Sequence, residues 1–144
     1  MRDVIGTWRL VRVSATNEDG SPTAAPPYGG ENAQGRLTLG ADGRMMAVLC
    51  DGTKTMGVGR TREYLSYCGN FTYDGRQLIT KVDAASNLAR LNTEQVRDVS
   101  FEEDLMLLRP PLSAYRGNLE QRVLVWEQIA KVQSSHSGIG RDFG

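Results

Sequence analysis

Apolar residues along this chain come in short runs whose members alternate with polar ones. Leu37 and Leu39 fall on one side of an extended segment and Arg36 and Thr38 on the other; Phe71 and Tyr73 oppose Asn70 and Thr72; Val99 and Phe101 oppose Asp98 and Ser100. A period of two marks a strand with one wet face. Runs of this kind cover 6–14, 35–39, 44–50, 70–73, 77–82, 86–91, 94–101, 105–109 and 122–129, which predicts roughly nine strands of ordinary length. Asp42-Gly43 and Asp74-Gly75 sit between β-prone runs and predict tight hairpins, because glycine accepts the positive φ such turns need. Glu102-Glu103-Asp104 predicts a third turn. One segment breaks the pattern: Tyr64, Tyr67 and Cys68 fall at i, i+3 and i+4, which predicts a short helix over 61–68.

Residues 17–34 carry Pro22, Pro26, Pro27 and Gly29-Gly30 and predict a long loop of the kind that covers a pocket mouth. Residues 134–144 are rich in Ser and Gly and predict a flexible tail behind a single domain over 1–133. The 17 basic and 17 acidic side chains cancel to a formal charge of zero. That balance argues against a nucleic-acid partner and against a polybasic membrane surface. A single histidine, His136, and two cysteines exclude most zinc sites and any chemistry needing two imidazoles, so neither metal nor cofactor is expected. No run approaches the roughly 20 apolar residues of a transmembrane helix, and the N-terminus has no signal-peptide core. The expectation is a cytoplasmic protein with Cys50 and Cys68 reduced. The chain contains no Gly-x-Ser-x-Gly, no His-Glu-x-x-His and no Lys-bearing phosphate loop.

Gly6-Thr7-Trp8 opens the first long strand. Gly35-Arg36-Leu37-Thr38-Leu39 precedes Ala41-Asp42-Gly43-Arg44-Met45, followed by Tyr64-Leu65-Ser66-Tyr67-Cys68-Gly69, Thr93-Glu94-Gln95-Val96-Arg97 and Leu124-Val125-Trp126-Glu127. This ordered set resembles the small microbial lipocalin-like domains of the calycin superfamily. The resemblance implies an all-β fold, an antiparallel up-and-down barrel of about eight to ten strands around a ligand cavity. It implies binding of a small hydrophobic molecule, or, as in some biosynthetic relatives, cyclisation or rearrangement of one. It also implies that Trp8 plugs one end of the barrel against an arginine, Arg12 or Arg122.

In a barrel, alternate residues converge on the interior, so Arg97 points inward if Val99 and Phe101 do. An inward guanidinium keeps its charge and must find partners. Those partners are either a ligand carbonyl, enolate or carboxylate, or a structural carboxylate such as Glu127. Tyr64, Tyr67 and Tyr73 offer a hydroxyl on an apolar ring, to orient a ligand or to cap the barrel end. Met46, Val48, Phe71, Val99 and Phe101 are the expected apolar wall. Strand 44–50 is apolar on both faces, and an exposed outer face there would indicate a homodimer contact. Either Leu124, Trp126 and Gln128 or Val123, Val125 and Ile129 point inward from the last strand. The leading expectation is a binder of a hydrophobic or amphipathic molecule. The alternative is a cofactor-independent cyclase or isomerase acting on a polyketide-like intermediate, with Arg97 and Tyr67 catalytic. A third is an interaction module with a filled barrel.

Overall fold

The computed structural model describes residues 2–115 and 117–131. The expected tail at 134–144, with His136, and the domain boundary at 133 lie outside them. Nine strands follow in chain order: β1 (Gly6–Asn17), β2 (Ala33–Leu39), β3 (Arg44–Asp51), β4 (Tyr64–Tyr73), β5 (Gln77–Ala85), β6 (Glu94–Glu102), β7 (Leu105–Arg109), β8 (Ser113–Tyr115) and β9 (Asn118–Ala130). Each pairs antiparallel with its neighbour through β7, and β9 pairs with β7 on one side and with β1 on the other. The sheet therefore closes on itself as an eight-stranded barrel. The short β8 continues the β7 side of β9, pairing Ser113–Tyr115 with Asn118–Glu120 after Pro110-Pro111 interrupts β7, as proline must where it removes ladder donors.

The barrel has a hairpin end and a loop end. At the hairpin end, Asp42 Oδ1 accepts from Arg44 N at 3.0 Å, and Asp74 Oδ1 accepts from the amides of Arg76 and Gln77 at 2.8 Å each. Gly43 and Gly75 take φ of 85° and 97°. Both Asp-Gly hairpins thus form where the residue pattern expects them, and Glu103 at φ 54° makes the third turn. Trp8 is buried near this end, its Nε1 donating to Val4 O at 3.0 Å, with Phe71, Tyr73, Val99 and Phe101 packed against the same core. The arginines that stack on rings among the described residues take rings other than Trp8: Arg2 on Phe101, Arg90 on Tyr67 and Arg122 on Tyr115. Neither Arg12 nor Arg122 packs on Trp8.

Strand phase decides what lies inside. Leu37 and Leu39 of β2 and Met45, Ala47 and Leu49 of β3 are buried in the core. β1 changes phase: Trp8 and Leu10 face in, Val11 is an extra bulged residue between the Leu10–Trp126 and Arg12–Val125 pairs, and the inward series resumes at Val13. On β9, Trp126 and Leu124 face in, opposite Leu10 and Val13. Val125 lies in the outward phase opposite Leu107, and both are nevertheless buried.

Two expected elements differ. Residues 61–68 are not a helix; Tyr64 opens β4, which bonds β3 and β5 along its length. A two-turn helix is marginal in water, whereas this segment finds hydrogen-bond partners on both sides. Residues 86–91 are not a strand. They turn through a short 3-10 helix at Leu88–Arg90, started by Asn87 Oδ1 accepting from Ala89 N at 3.0 Å.

At the β4–β5 pairing a register shift leaves Asp83 unpaired between Gly69–Val82 and Cys68–Ala84. A Cβ on Gly69 would lie 1.9 Å from the backbone oxygen of Lys81, so only hydrogen fits there. Gly69→Ala is expected to destabilise the fold by about 1–3 kcal/mol, read as a thermal midpoint lowered by roughly 3–10 °C.

Candidate functional site

The loops after β1, β3, β5 and β7 gather at the end opposite the hairpins. The loop after β1 crosses this end as a strap. Pro26 and Pro27 enter it, and Tyr28, Gly29 and Gly30 all take positive φ (55°, 78° and 61°). Tyr28 is a non-glycine residue in a left-handed conformation, which the surroundings must hold. They do so through Tyr28 N donating to Glu63 Oε1 at 2.8 Å and through its ring, which packs on the core. Gly29 lies against the carboxylate of Asp51, where an added Cβ would sit 2.3 Å from Oδ1. Asp51 is itself buried at the end of β3. Its Oδ1 accepts from Thr53 Oγ1 at 2.6 Å and Thr53 N at 2.9 Å, while Arg62 donates to the carbonyls of Asp51 and Thr53. The long loop read from Pro and Gly is therefore ordered over its proline- and glycine-rich part, and is seated on the barrel.

Below the strap the barrel interior keeps a void of ≈ 40 Å³, about the space of one water molecule. Half of its lining residues are leucine, and Tyr67, Thr80, Arg97 and Trp126 also line it. Trp126 is fully buried and its Nε1–H has no acceptor among the described residues. Arg97 faces inward in phase with Val99 and Phe101, directly opposite Leu78. It donates from Nη1 to Val96 O at 2.8 Å and from Nη2 to Gln95 Oε1 at 3.3 Å. Glu127 is not its partner: it lies on the outer surface, bound to Arg9 at 2.7 Å. Arg90 donates to the same Gln95 oxygen and stands 5.6 Å from the centre of the Tyr67 ring. On β9, Arg122 approaches the buried Glu120 at 3.4 Å and lies over the Tyr115 ring. Burial and the negative charge of Glu63 push the Tyr28 hydroxyl above its ordinary pKa, while Arg90 and Arg122 pull it down.

The expected site residues divide three ways. Arg97 and Tyr67 come together around the interior void. Phe71, Tyr73, Val99 and Phe101 face inward but pack at the hairpin end, away from the void's lining. Met46, Val48 and Tyr64 do not line the interior. β3 buries Met45, Ala47 and Leu49 instead, which leaves Met46 63% exposed and Val48 outside. Tyr64, read as sharing a helical face with Tyr67, points away because strand residues three apart lie on opposite faces. The sequence reading missed Arg90, Gln95, Thr80 and Tyr28. Gln95 was recoverable, since it is two residues from Arg97 on the same strand face. Arg90 was not, because its segment reads as a strand.

Among the described residues no group of three or more His, Cys, Asp or Glu side chains could hold a metal, both cysteines are free, and no helix is long and apolar enough to cross a membrane. A family model described as a lipocalin-like domain matches residues 5–129. No curated protein and no solved structure matches the chain.

The hydroxyl and amide of Thr53, and behind them Arg62 and Arg60, hold the Asp51 carboxyl below its ordinary pKa. The ionised form therefore stabilises the fold fully above the unfolded value near 4, and that contribution is lost as pH falls through the lower folded value. Asp51→Asn is expected to lower the thermal midpoint at pH 7. The difference from the parent should shrink steadily below about pH 4, as followed by thermal melts across that range.

Proposed function

The chain belongs to the lipocalin-like domain family, and from that premise we propose that it takes a small hydrophobic or amphipathic molecule into the barrel from the loop end. The observation that carries this reading is the pairing of a leucine-walled interior with the inward guanidinium of Arg97 and the ring of Tyr67 at one void. Apolar walls supply affinity and a few polar groups set orientation. The void holds about one water, so a ligand enters by displacing the strap that carries Tyr28. Its positive φ at three successive residues and its hydrogen bond from the Tyr28 amide to Glu63 make it the element to move. The strap takes its conformation from those contacts, and losing them frees it.

A second reading is a cofactor-independent cyclase or isomerase. It is favoured by the presence of a permanent cation and a phenol beside one sheltered space. Arg97 would hold the developing oxyanion of an enolisable polyketide-like substrate, which needs position and charge only. Under this reading Arg97→Met abolishes turnover of such a substrate in a folded protein; unchanged turnover removes Arg97 from the chemistry.

The binding reading is tested with a neutral apolar probe. Decanol should bind saturably, one per chain, in calorimetry and native mass spectrometry. Ala47→Phe, which fills the wall beside the void, should weaken it at least tenfold, about 1.4 kcal/mol. Failure of decanol and of its acid, decanoate, alike to bind, or equal binding to the filled variant, would overturn uptake into the barrel.

A further inference from the structure

We propose that the molecule taken up is an acid whose carboxylate or enolate oxygen is received by Arg90 and Arg97 together; this rests on the reading just given and names the class of ligand. The two guanidiniums arrive from different elements, Arg90 from the 3-10 turn after β5 and Arg97 from β6. They converge on a single atom, Oε1 of Gln95, which is neutral. Among the described residues neither forms an ion pair with a carboxylate. Three acids at this end are engaged elsewhere: Glu63 with the Tyr28 amide, Asp51 with Thr53, and Glu120 beside Arg122. Arg90 also buries its Nε without an acceptor among the described residues. Two half-buried cations on one uncharged oxygen repel each other and leave donors unmet. Guanidinium forks are matched to carboxylate geometry, and a charge-assisted pair is about twice as strong as a neutral one.

The cluster is also built in advance. Gln95 Nε2 donates to Thr93 Oγ1 at 2.8 Å, and Thr93 Oγ1 donates to Arg90 O at 2.7 Å. These bonds set which way the carboxamide faces, so that its oxygen turns to both arginines. Tyr67 lies beneath Arg90 and the leucine-lined void lies beside Arg97. An acid group at the arginines therefore directs an apolar body down the barrel. A neutral hydrophobe gains only the second half of this arrangement.

The test compares decanoate with decanol and methyl decanoate at pH 7 by calorimetry. Decanoate is expected to bind at least tenfold more tightly than either neutral probe. Arg90→Gln and Arg97→Gln should each bring that ratio down toward one. Gln95→Glu supplies an internal carboxylate at the shared oxygen; it should leave the protein folded, raise its thermal midpoint, and abolish the preference for the acid. It also decides the matter if an arginine variant fails to fold. Equal binding of acid and alcohol to the parent, or a preference that survives Gln95→Glu, overturns acid selection while leaving barrel uptake standing. Absence of binding by all three probes overturns both.

Discussion

Pairing of β1 with β9, from Thr7 opposite Ala130 to Asn17 opposite Glu120, joins the two ends of a linear meander and removes its free edges. Everything else in the molecule depends on that closure. An open sheet of these strands would present unpaired amides and carbonyls at both borders. It would also leave the inward series Trp8, Leu10, Leu37, Met45, Leu78 and Trp126 facing water. Closed, it gathers them into one core. The bulges at Val11 and Asp83 belong to the same constraint, since they adjust phase and bend so that residues of the proper face arrive inside.

Closure creates a sheltered space, and shelter changes what charge means there. A guanidinium in water is an unremarkable surface group; one brought toward a leucine-walled interior must be matched by hydrogen bonds or by an opposite charge. At the hairpin end and on the outer wall this chain follows that rule with ordinary ion pairs, Arg9 with Glu127 and Arg44 with Asp83. At the loop end Arg122 stands by Glu120, while Arg90 and Arg97, which form no ion pair among the described residues, are matched by hydrogen bonds and share a carboxamide. The strap bearing Tyr28 lies at the same end, held by the Tyr28 amide on Glu63, by the buried Pro27 and by the Tyr28 ring on the core. Segments held in this way open at lower free energy than core strands, so the polar cluster and the way to it are coupled by position.

The small void is compatible with uptake for the same reason. A core of strands and leucines packs densely and resists local change, whereas the strap at one rim adds only Pro27, the Tyr28 ring and its amide bond to Glu63. On the proposed reading, room for a ligand is made at that rim and not by stretching the wall.

The residue pattern alone determined the all-β character, the two Asp-Gly hairpins, the shared face of Leu37 and Leu39, and the shared face of Arg97 with Val99 and Phe101. Each of these follows from local physics: side chains alternate along any strand, and glycine alone accepts certain turns without strain. Strand β3, apolar on both faces, carried no phase information, so Met46 and Val48 were misplaced until the barrel chose Met45, Ala47 and Leu49. Residues 61–68 fit a helical spacing by coincidence, and from Tyr64 onward they became strand because β3 and β5 stood on either side to bond them. Only tertiary structure could bring Arg90 beside Arg97, or lay Tyr28 across the same end. Those meetings depend on where a closed sheet returns distant segments, and no periodicity along the chain encodes that distance.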